Sequence, residues 1–235
     1  MNKQVLARIG HVEVWHFLGA STFFFKSGLS VDADGAPKAY GPNGTGLDEL
    51  ANAGHPGNWW ALVTDTGNSS GTPLVQGPRD PAPGYYISTT SLENHSLSHS
   101  DPKRYVDAST VPYVVLPGHK HGSALSPKLK LGDLALVVNG NSGRYSYAIY
   151  ADVGPPHQIG EGSIALAQAL GVGCNPRTGN GARDIIYIVF PGSGNGHPKS
   201  VAEINTGGRT CFQNWGGFTR LGQCFPEHAS KLPKQ

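Results

Sequence analysis

Residues 147–171 read YAIYADVGPPHQIGEGSIALAQALG, and this stretch contains the signals that decide the fold. An apolar run that ends at Asp152 predicts a strand, and Pro155 with the glycine before it makes the chain change direction. A second apolar run with helical spacing follows Glu161 and stops at Gly171, which predicts a short amphipathic helix. The stretch is therefore a strand, a turn and a helix, with one acidic residue on each side of the turn.

The rest of the composition favours a chain built mainly from β-strands. Its 235 residues include 33 glycines and 18 prolines, and only 14% are charged, which suits short strands joined by tight turns. A chain of this length buries one large core or two small ones. We expect one domain over residues 1–235, with its core motifs in 21–194 and a C-terminal extension over 195–235.

Strand signals recur wherever short apolar or alternating runs lie between turn residues. These runs predict strands at 11–17, 21–25, 59–64, 85–89, 113–116, 132–139 and 145–152, and a buried central strand in the run DIIYIVFPG from residue 184. The segment 44–54 predicts a short helix with Thr45 as its cap, and 64–84 predicts a long loop. The tail after about residue 229 predicts disorder.

Charge and hydropathy exclude two classes of partner. The formal net charge is +2 with a pI of about 8.4, and the basic residues are scattered, so no nucleic-acid surface is predicted. No window approaches the roughly 18 consecutive apolar residues of a membrane span. The first residues contain no apolar segment of a signal peptide, so either the chain is not exported or its signal was removed. Nothing in the sequence demands more than a monomer.

Cysteine content leaves little room for a disulfide framework. The chain has three cysteines, so at most one bridge forms within it, and Cys211 with Cys224 is the pair closest in sequence. The sequence leaves open whether that bridge is made. No C-x-x-C spacing for a metal occurs.

Two histidine pairs have spacings that suit a metal ion. His119 and His121 form H-x-H, and His95 and His99 lie four positions apart. Neither pair has an acid or a third ligand at a spacing that completes a site. The sequence therefore predicts surface histidines and no metal site.

Asp152 and Glu161 lie nine positions apart on opposite sides of the turn. Breaking a glycosidic bond requires one carboxylic acid that protonates the leaving oxygen and one carboxylate that acts on the other face of the sugar. Two acids on the rims of one turn have the layout for this chemistry. The residues alone leave a structural alternative open, in which Asp152 caps the turn and Glu161 complements the helix dipole.

The arrangement of this stretch resembles a motif of double-psi β-barrels. A strand, D-x-G-P, a short loop, and an acid at the start of an Ala/Leu helix form the second half-motif of that fold. It occurs in expansins, rare lipoprotein A, murein lytic transglycosylase A and family 45 endoglucanases. In the catalytic members the acid at this place is the proton donor, and Glu161 occupies that place here.

Four motifs in chain order resemble the glycoside hydrolase family 75 chitosanases. They read SGLSVDADGAPKAY at 27–40, YAIYADVGP at 147–155, IGEGSIALA at 159–167 and DIIYIVFPGSG at 184–194. The resemblance implies a mainly β fold, a six-stranded double-psi-like barrel with additional strands and one or two short helices. It also implies a secreted enzyme that needs no cofactor and cuts chitosan, a β-1,4-linked glucosamine polymer, internally with inversion. Ala33 stands where fungal members often have a cysteine, so their disulfide is absent.

The family has two essential acids, which Asp152 and Glu161 match. We expect Glu161 to be the general acid, with a pKa raised by apolar neighbours, and Asp152 to be the general base that activates water. Residue spacing alone does not choose between the carboxyl separations of inverting and retaining enzymes. Two other functions stay open: a non-catalytic expansin-like carbohydrate-binding barrel, and a lytic transglycosylase-like enzyme that acts on peptidoglycan.

Asp32 and Asp34 are candidates for holding the substrate. Chitosan is polycationic in mild acid, so its cleft is expected to collect carboxylates that pair with the amino groups. An ordinary Asp turn with Gly35 explains the two residues equally well. A calcium-like D-x-D-G loop is a further alternative, but it lacks the remaining ligands.

Aromatic side chains and one histidine complete the candidates. Rings that stack on sugars are predicted at Tyr40, Trp60 and Tyr150, although the run N-W-W-A-L-V is also typical of a buried strand. His157 lies within the turn and is expected to orient Asp152. A loop histidine also occurs without any such role.

Overall fold

The computed structural model describes residues 2–118, 125, 129–178 and 180–233, and within them the chain is mainly β. The ten strands of this part are β1 Lys3–Ile9, β2 Val12–Phe17, β3 Phe23–Asp32, β4 Gly54–His55, β5 Asn58–Trp59, β6 Tyr113–Pro117, β7 Leu134–Asn139, β8 Tyr145–Gly154, β9 Glu161–Ser163 and β10 Asn180–Phe190. Its three α-helices are α1 Ile164–Leu170, α2 Val201–Trp215 and α3 Gly217–Cys224. The sequence predicted one or two short helices, and this part of the chain contains three.

Six strands close into a mixed barrel. In the order β3, β10, β7, β8, β6 and β9, each strand is hydrogen-bonded to the next, and β9 also pairs with β3. β6 runs parallel to β8 and β3 runs parallel to β9, whereas the other four pairings are antiparallel. β1 and β2 extend the sheet beyond β3. The predicted mainly β fold, with a six-stranded barrel and additional strands, is confirmed.

The barrel is held together by strands that are apolar on both faces. Phe23, Phe24 and Phe25 of β3 are fully buried, and so is the apolar run of β10 that begins at Ile185. The rings of Phe25 and Tyr187 stack with their centroids 4.5 Å apart. Each such side chain contributes roughly 1.5–3 kcal/mol by leaving water. The run DIIYIVFPG is therefore a buried central strand, as its composition predicted.

The C-terminal segment folds onto the barrel, so the predicted disordered tail is wrong for the residues described up to 233. Ser200 starts α2 with a capping box, in which its hydroxyl accepts from Glu203 N and its own N donates to Glu203 Oε2. The buried side of α2 ends at Trp215, whose ring lies 5.9 Å from that of Phe24. Leu232 is also buried. The buried residues of α2 lie three or four positions apart, as in an amphipathic helix. Glycines and threonines between them weaken this pattern in the sequence, so the helix was not predicted.

Three local predictions also differ from the structure. Segments 59–64 and 85–89 form the short β5 and isolated bridges in place of two full strands. The helix predicted over 44–54 with Thr45 as its cap is wrong, since the segment contains only a 3-10 turn at Leu50–Asn52, and Thr45 follows a separate 3-10 turn at Pro42–Gly44. β1 was not predicted, since a bulge interrupts its pairing with β2 and its side chains do not alternate regularly.

The cysteines remain free thiols in the structure. Cys211 lies on α2 and Cys224 on α3, and the bridge that the sequence left open between them is not formed. In the described part of the chain, no helix has both the length and the apolar character that crossing a membrane requires.

Candidate active site

The two predicted catalytic acids flank one strand of the barrel. Val115 of β6 is the register partner of Asp152 in β8 and also of Glu161 in β9. Directly paired residues on neighbouring strands place their side chains on the same face of a sheet. Both carboxylates therefore leave the same face, and their Cα atoms are separated by two strand spacings, about 9–10 Å.

Glu161 reaches this position through a short strand that precedes the helix. It is the first residue of β9, and α1 begins three residues later, after Ser163 Oγ accepts from Leu166 N at 3.1 Å. The same hydroxyl donates to Val111 O at 2.8 Å and accepts from Tyr113 N at 3.0 Å. These bonds tie the start of α1 to β6. The predicted strand, turn and helix are present, with β9 inserted between the turn and the helix.

An acidic cleft of about 670 Å³ opens over this face of the barrel. Its walls come from the ends of β3, β8 and β9 and from the loops around residues 48–61 and 89–91. The carboxylates that line it are Asp32, Asp34, Asp48, Asp152 and Glu161. No lysine, arginine or histidine is among the described residues of its lining. The described lining therefore carries ionisable acids and no basic side chain, a composition that favours a positively charged ligand.

Ser91 fixes the carboxylate of Asp152. Asp152 Oδ1 accepts from Ser91 N at 2.9 Å, from Ser91 Oγ at 2.5 Å and from Val153 N at 2.9 Å. Burial raises the pKa of Asp152, while the hydrogen bonds from Ser91 and Val153 act against the rise. Because all three donors reach Oδ1, no described hydrogen bond holds Oδ2.

Glu161 has a pKa that is raised into the neutral range. Burial and the negative charges of Asp152 and Asp48 raise the pKa of Glu161 to about 7. A Cβ at Gly154 would lie 3.0 Å from a methyl carbon of Val115, so a larger residue there would crowd the side chain that lies between the two acids. A raised pKa next to a hydrogen-bonded carboxylate is the arrangement of an acid and a base.

Asp32 and Asp34 form the floor of the cleft beside Asp152. Asp32 is only 8% exposed, and its Oδ1 accepts from Asp34 N at 2.8 Å. Asp34 Oδ1 accepts from Tyr40 OH at 2.7 Å and from Ser88 Oγ at 3.4 Å. Burial and the neighbouring carboxylates raise the pKa of both groups well above its usual range.

These acids are close enough to share a cation. One oxygen each of Asp32, Asp34 and Asp152 lies within 4.8 Å of the others. Oxygen ligands at such spacing suit a hard divalent metal, and they equally accept hydrogen bonds from an ammonium group. The sequence predicted no metal here, and the donor set alone does not distinguish the two kinds of cation.

The structure distributes the remaining predicted residues between the cleft and the core. Tyr40 is buried and lines the cleft beneath Asp34, and Trp60 lies at the rim with 58% of its surface exposed. Tyr150 is buried and donates to Leu116 O at 3.3 Å, while His157 is exposed in the turn. Neither Tyr150 nor His157 is among the described residues that line the cleft.

Two polar groups of the cleft were not predicted from the sequence. Asp48 is buried, and both of its carboxylate oxygens accept from Asn52 Nδ2, at 3.0 and 2.9 Å. Ser91, which holds Asp152, lies 61 positions away from it in sequence. A single aspartate or serine in a loop has no local pattern, so no signal in the sequence pointed to either residue.

The histidine pairs give no metal site in the described part of the chain. His95 Nδ1 lies 3.1 Å from Glu93 Oε1, in an ion-pair cluster with Arg104. His119 and His121 lie outside the described residues.

Comparison with known families gives one match. A family model described as fungal chitosanase of glycosyl hydrolase group 75 matches residues 62–222. This range contains β6 to β10, Asp152 and Glu161, and it begins after the segment with Asp32 and Asp34. No curated protein matches the chain.

Proposed function

The chain belongs to the fungal chitosanase family of glycosyl hydrolase group 75, and on this premise we propose that it cuts chitosan internally, with inversion at the anomeric carbon. Membership makes the protein a glycoside hydrolase whose substrate is a polysaccharide. The proposal adds the internal cut, the stereochemistry and the roles of individual residues.

The observation that carries the proposal is the concentration of acids in the cleft. Five carboxylates line it without a basic residue among the described lining, although the whole chain has a formal net charge of +2. Only two acids are needed to break a glycosidic bond. The additional carboxylates create a negative potential that attracts the ammonium groups of a glucosamine polymer. A neutral polymer such as cellulose carries no positive charge that would pair with them.

Glu161 acts as the general acid. With a pKa of about 7 it holds its proton in mild acid, where the amino groups of chitosan are charged. It donates this proton to the glycosidic oxygen as the bond from that oxygen to C1 breaks. The leaving chain departs as a neutral alcohol, and solvent then returns a proton to Glu161.

Asp152 acts as the general base for water. Ser91 and Val153 N hold its Oδ1, so Oδ2 is available to accept a proton from water placed on the other face of the sugar. The water oxygen forms a bond to C1 as the leaving oxygen departs, and the configuration at C1 inverts. Asp152 releases the accepted proton to solvent before the next turnover.

The register of the barrel is compatible with the inversion that we propose. Asp152 and Glu161 lie on strands to either side of β6 and share Val115 as their partner. Two strand spacings put the Cα atoms of the two residues about 9–10 Å apart, and side chains that leave the same face at this distance can hold their carboxyl groups at the roughly 6.5–9.5 Å of inverting enzymes. In this proposal the attacking water lies between the two acids.

Asp32, Asp34, Tyr40 and Trp60 bind the substrate in this proposal. The two aspartates pair with amino groups, and Tyr40 orients Asp34 through its 2.7 Å hydrogen bond. Trp60 presents an exposed ring on which a pyranose can stack. Tyr150 and His157 are left out of the proposed contacts, because neither is among the described residues of the cleft.

We further propose that the protein works as a monomer with a single catalytic domain and without a cofactor. The two acids and the water supply every proton that the reaction moves. We place the enzyme outside the cell, because a long polysaccharide cannot cross a membrane and has to be cut where it lies.

Product analysis on a panel of soluble glycans tests the function. We expect the wild-type protein to release oligosaccharides from chitosan, with the α-anomer formed first in proton NMR spectra, and to leave a neutral β-1,4-glucan intact. A first-formed β-anomer would refute inversion. Binding of chitosan without new reducing ends would favour an expansin-like barrel, and an anhydro-sugar released from peptidoglycan would identify a lytic transglycosylase.

A further inference from the structure

A second cavity adjoins the acidic cleft on the side of Ser91. It has a volume of about 310 Å³ and shares four lining residues with the cleft: Trp60, Thr89, Thr90 and Ser91. We call this cavity the side pocket. Because Ser91 also holds Asp152, a group bound in the side pocket lies next to the catalytic base.

The side pocket differs from the cleft in its charge. Glu93 is the one carboxylate among its described lining residues. Both Glu93 oxygens are occupied by Arg104, with Nε at 2.8 Å from Oε2 and Nη2 at 2.8 Å from Oε1. This pairing lowers the pKa of Glu93 and cancels its charge.

A charged amino sugar is therefore poorly matched to the side pocket. An ammonium group that enters it loses water and finds no free carboxylate, which is a net cost. An acetamide group carries no charge and avoids this cost. The buried side chains of Leu62 and Tyr105 offer apolar contact for its methyl group, and the exposed ring of Trp60 forms the rim shared with the cleft.

We propose that the side pocket is a subsite for an uncharged N-acetylglucosamine unit of the same polymer. The enzyme then acts on partly acetylated chitosan, with charged units in the acidic cleft and an acetylated unit at a fixed place on one side of the cleaved bond. This inference rests on the proposed function, because the unit in the side pocket belongs to the same chitosan chain that the acidic cleft binds and cuts.

Sequencing of the products by mass spectrometry tests the subsite. Partly acetylated chitosan is digested, and the position of acetyl groups relative to the new chain ends is counted. We expect acetylated units to be enriched at one fixed position, and Trp60→Ala to abolish the enrichment and raise KM about tenfold for the polymer through loss of ring contact. Trp60→Phe retains a ring without the Nε1 bond to Asn52 O and should keep the enrichment.

A change of charge beside the side pocket gives a more specific test than the loss of the Trp60 ring. Arg104→Gln removes the guanidinium that pairs with both oxygens of Glu93 and leaves His95, 3.1 Å from Oε1, as the remaining neighbour, so the preferred unit at the same position should change from acetylated to deacetylated. Arg104→Lys keeps a cation beside Glu93 and is the matched control. Tyr145→Ala removes an exposed ring of β8 that lines neither cavity and should leave the pattern unchanged.

The outcomes separate this subsite from the function as a whole. Cleavage of chitosan with acetyl groups distributed at random around the new ends would overturn the subsite and leave the chitosanase intact. An acetyl pattern that survives both Trp60→Ala and Arg104→Gln would also overturn it. Failure of the wild type to cleave any chitosan would overturn both.

Discussion

The acids of the cleft and the acids of the outer surface behave in opposite ways. Those of the cleft are buried or half-buried together with no lysine, arginine or histidine among the described lining residues, and the pKa values of Asp32, Asp34, Asp152 and Glu161 are all raised. The acids that the described part of the structure shows in ion pairs lie outside the cleft. The pairs with lysine or arginine are Glu13 with Arg8, Glu49 with Arg177, Glu93 with Arg104, and both Asp184 and Glu227 with Lys26.

This difference separates the acids that form ion pairs from those that we propose for the chemistry. A paired carboxylate is held in its charged form by its partner, and the pKa values of Glu93 and Asp184 are accordingly lowered. A group of neighbouring carboxylates that lack a cationic partner destabilises the folded state, because each ionised form loses water and meets like charge. Such an arrangement is typical of a functional site. Four predictions test the contrast.

Neutralising either acid of the catalytic pair should have the largest effect. Glu161→Gln removes the proton donor and Asp152→Asn removes the base, so we expect each to lower kcat on chitosan by about 10²–10⁴-fold. Initial rates of reducing-end release give the measurement. Glu227→Gln is the control from the outer surface, where loss of the ion pair with Lys26 should leave kcat unchanged. Wild-type rates in both cleft variants would disprove the mechanism.

Removal of the Glu161 carboxylate should lower activity and raise the stability of the fold. The pKa of Glu161 is about 7 in the folded state and 4.5 in the unfolded chain. Its ionisation therefore costs nothing below pH 4.5, and stability is lost as pH rises from 4.5 to 7, by an amount on the order of 3 kcal/mol. We expect Glu161→Gln to unfold at higher urea than the wild type at pH 7.5 and at similar urea at pH 4. An equal gain at both pH values would contradict this explanation.

Activity should follow the ionisation of the two acids. The proton of Glu161 is lost as pH rises through about 7, so kcat/KM should fall about tenfold per pH unit above that value. Asp152 must be ionised to accept a proton, and because burial raises its pKa, the acidic limb should lie above the usual range of an aspartate. A pH profile of kcat/KM tests both limbs. A flat profile through pH 7 would remove Glu161 from the role of acid.

Removal of an ion-paired acid should have the smallest effect, and its effect on stability should depend on pH in the opposite sense to that of Glu161→Gln. Arg104 lowers the pKa of Glu93, so this pair stabilises the fold above the unfolded pKa of 4.5 and the contribution disappears as pH falls below it. We expect Glu93→Gln to reduce the free energy of unfolding by about 1 kcal/mol at pH 7 and to have little effect near pH 3. Urea titrations at the two pH values give the comparison. If Glu93→Gln stabilised the fold at pH 7, the proposed difference between the paired acids and the acids of the cleft would be wrong.

Much of the barrel follows from local patterns in the sequence. The apolar runs of β7, β8 and β10 predict their strands, and the helical spacing before Gly171 predicts α1. The prediction fails where tertiary contacts decide the structure, as in α2, whose buried stripe is mixed with glycine and threonine. It also fails in 59–64 and 85–89, where strand-like runs form only short pairings because their surroundings are loops.

The sequence by itself determined the strand, turn and helix around 147–171 and placed Asp152 and Glu161 on either side of the turn, because hydrophobic periodicity and short motifs are local properties. Only the tertiary structure decided that Val115 lies between Asp152 and Glu161, that Ser91 holds the carboxylate of Asp152, and that Asp48 joins the cleft. It also decided that the side pocket adjoins the acidic cleft, and that Arg104 neutralises Glu93, the carboxylate of the side pocket. Strand register and barrel closure bring together residues that are distant in the chain, and no local preference records that proximity.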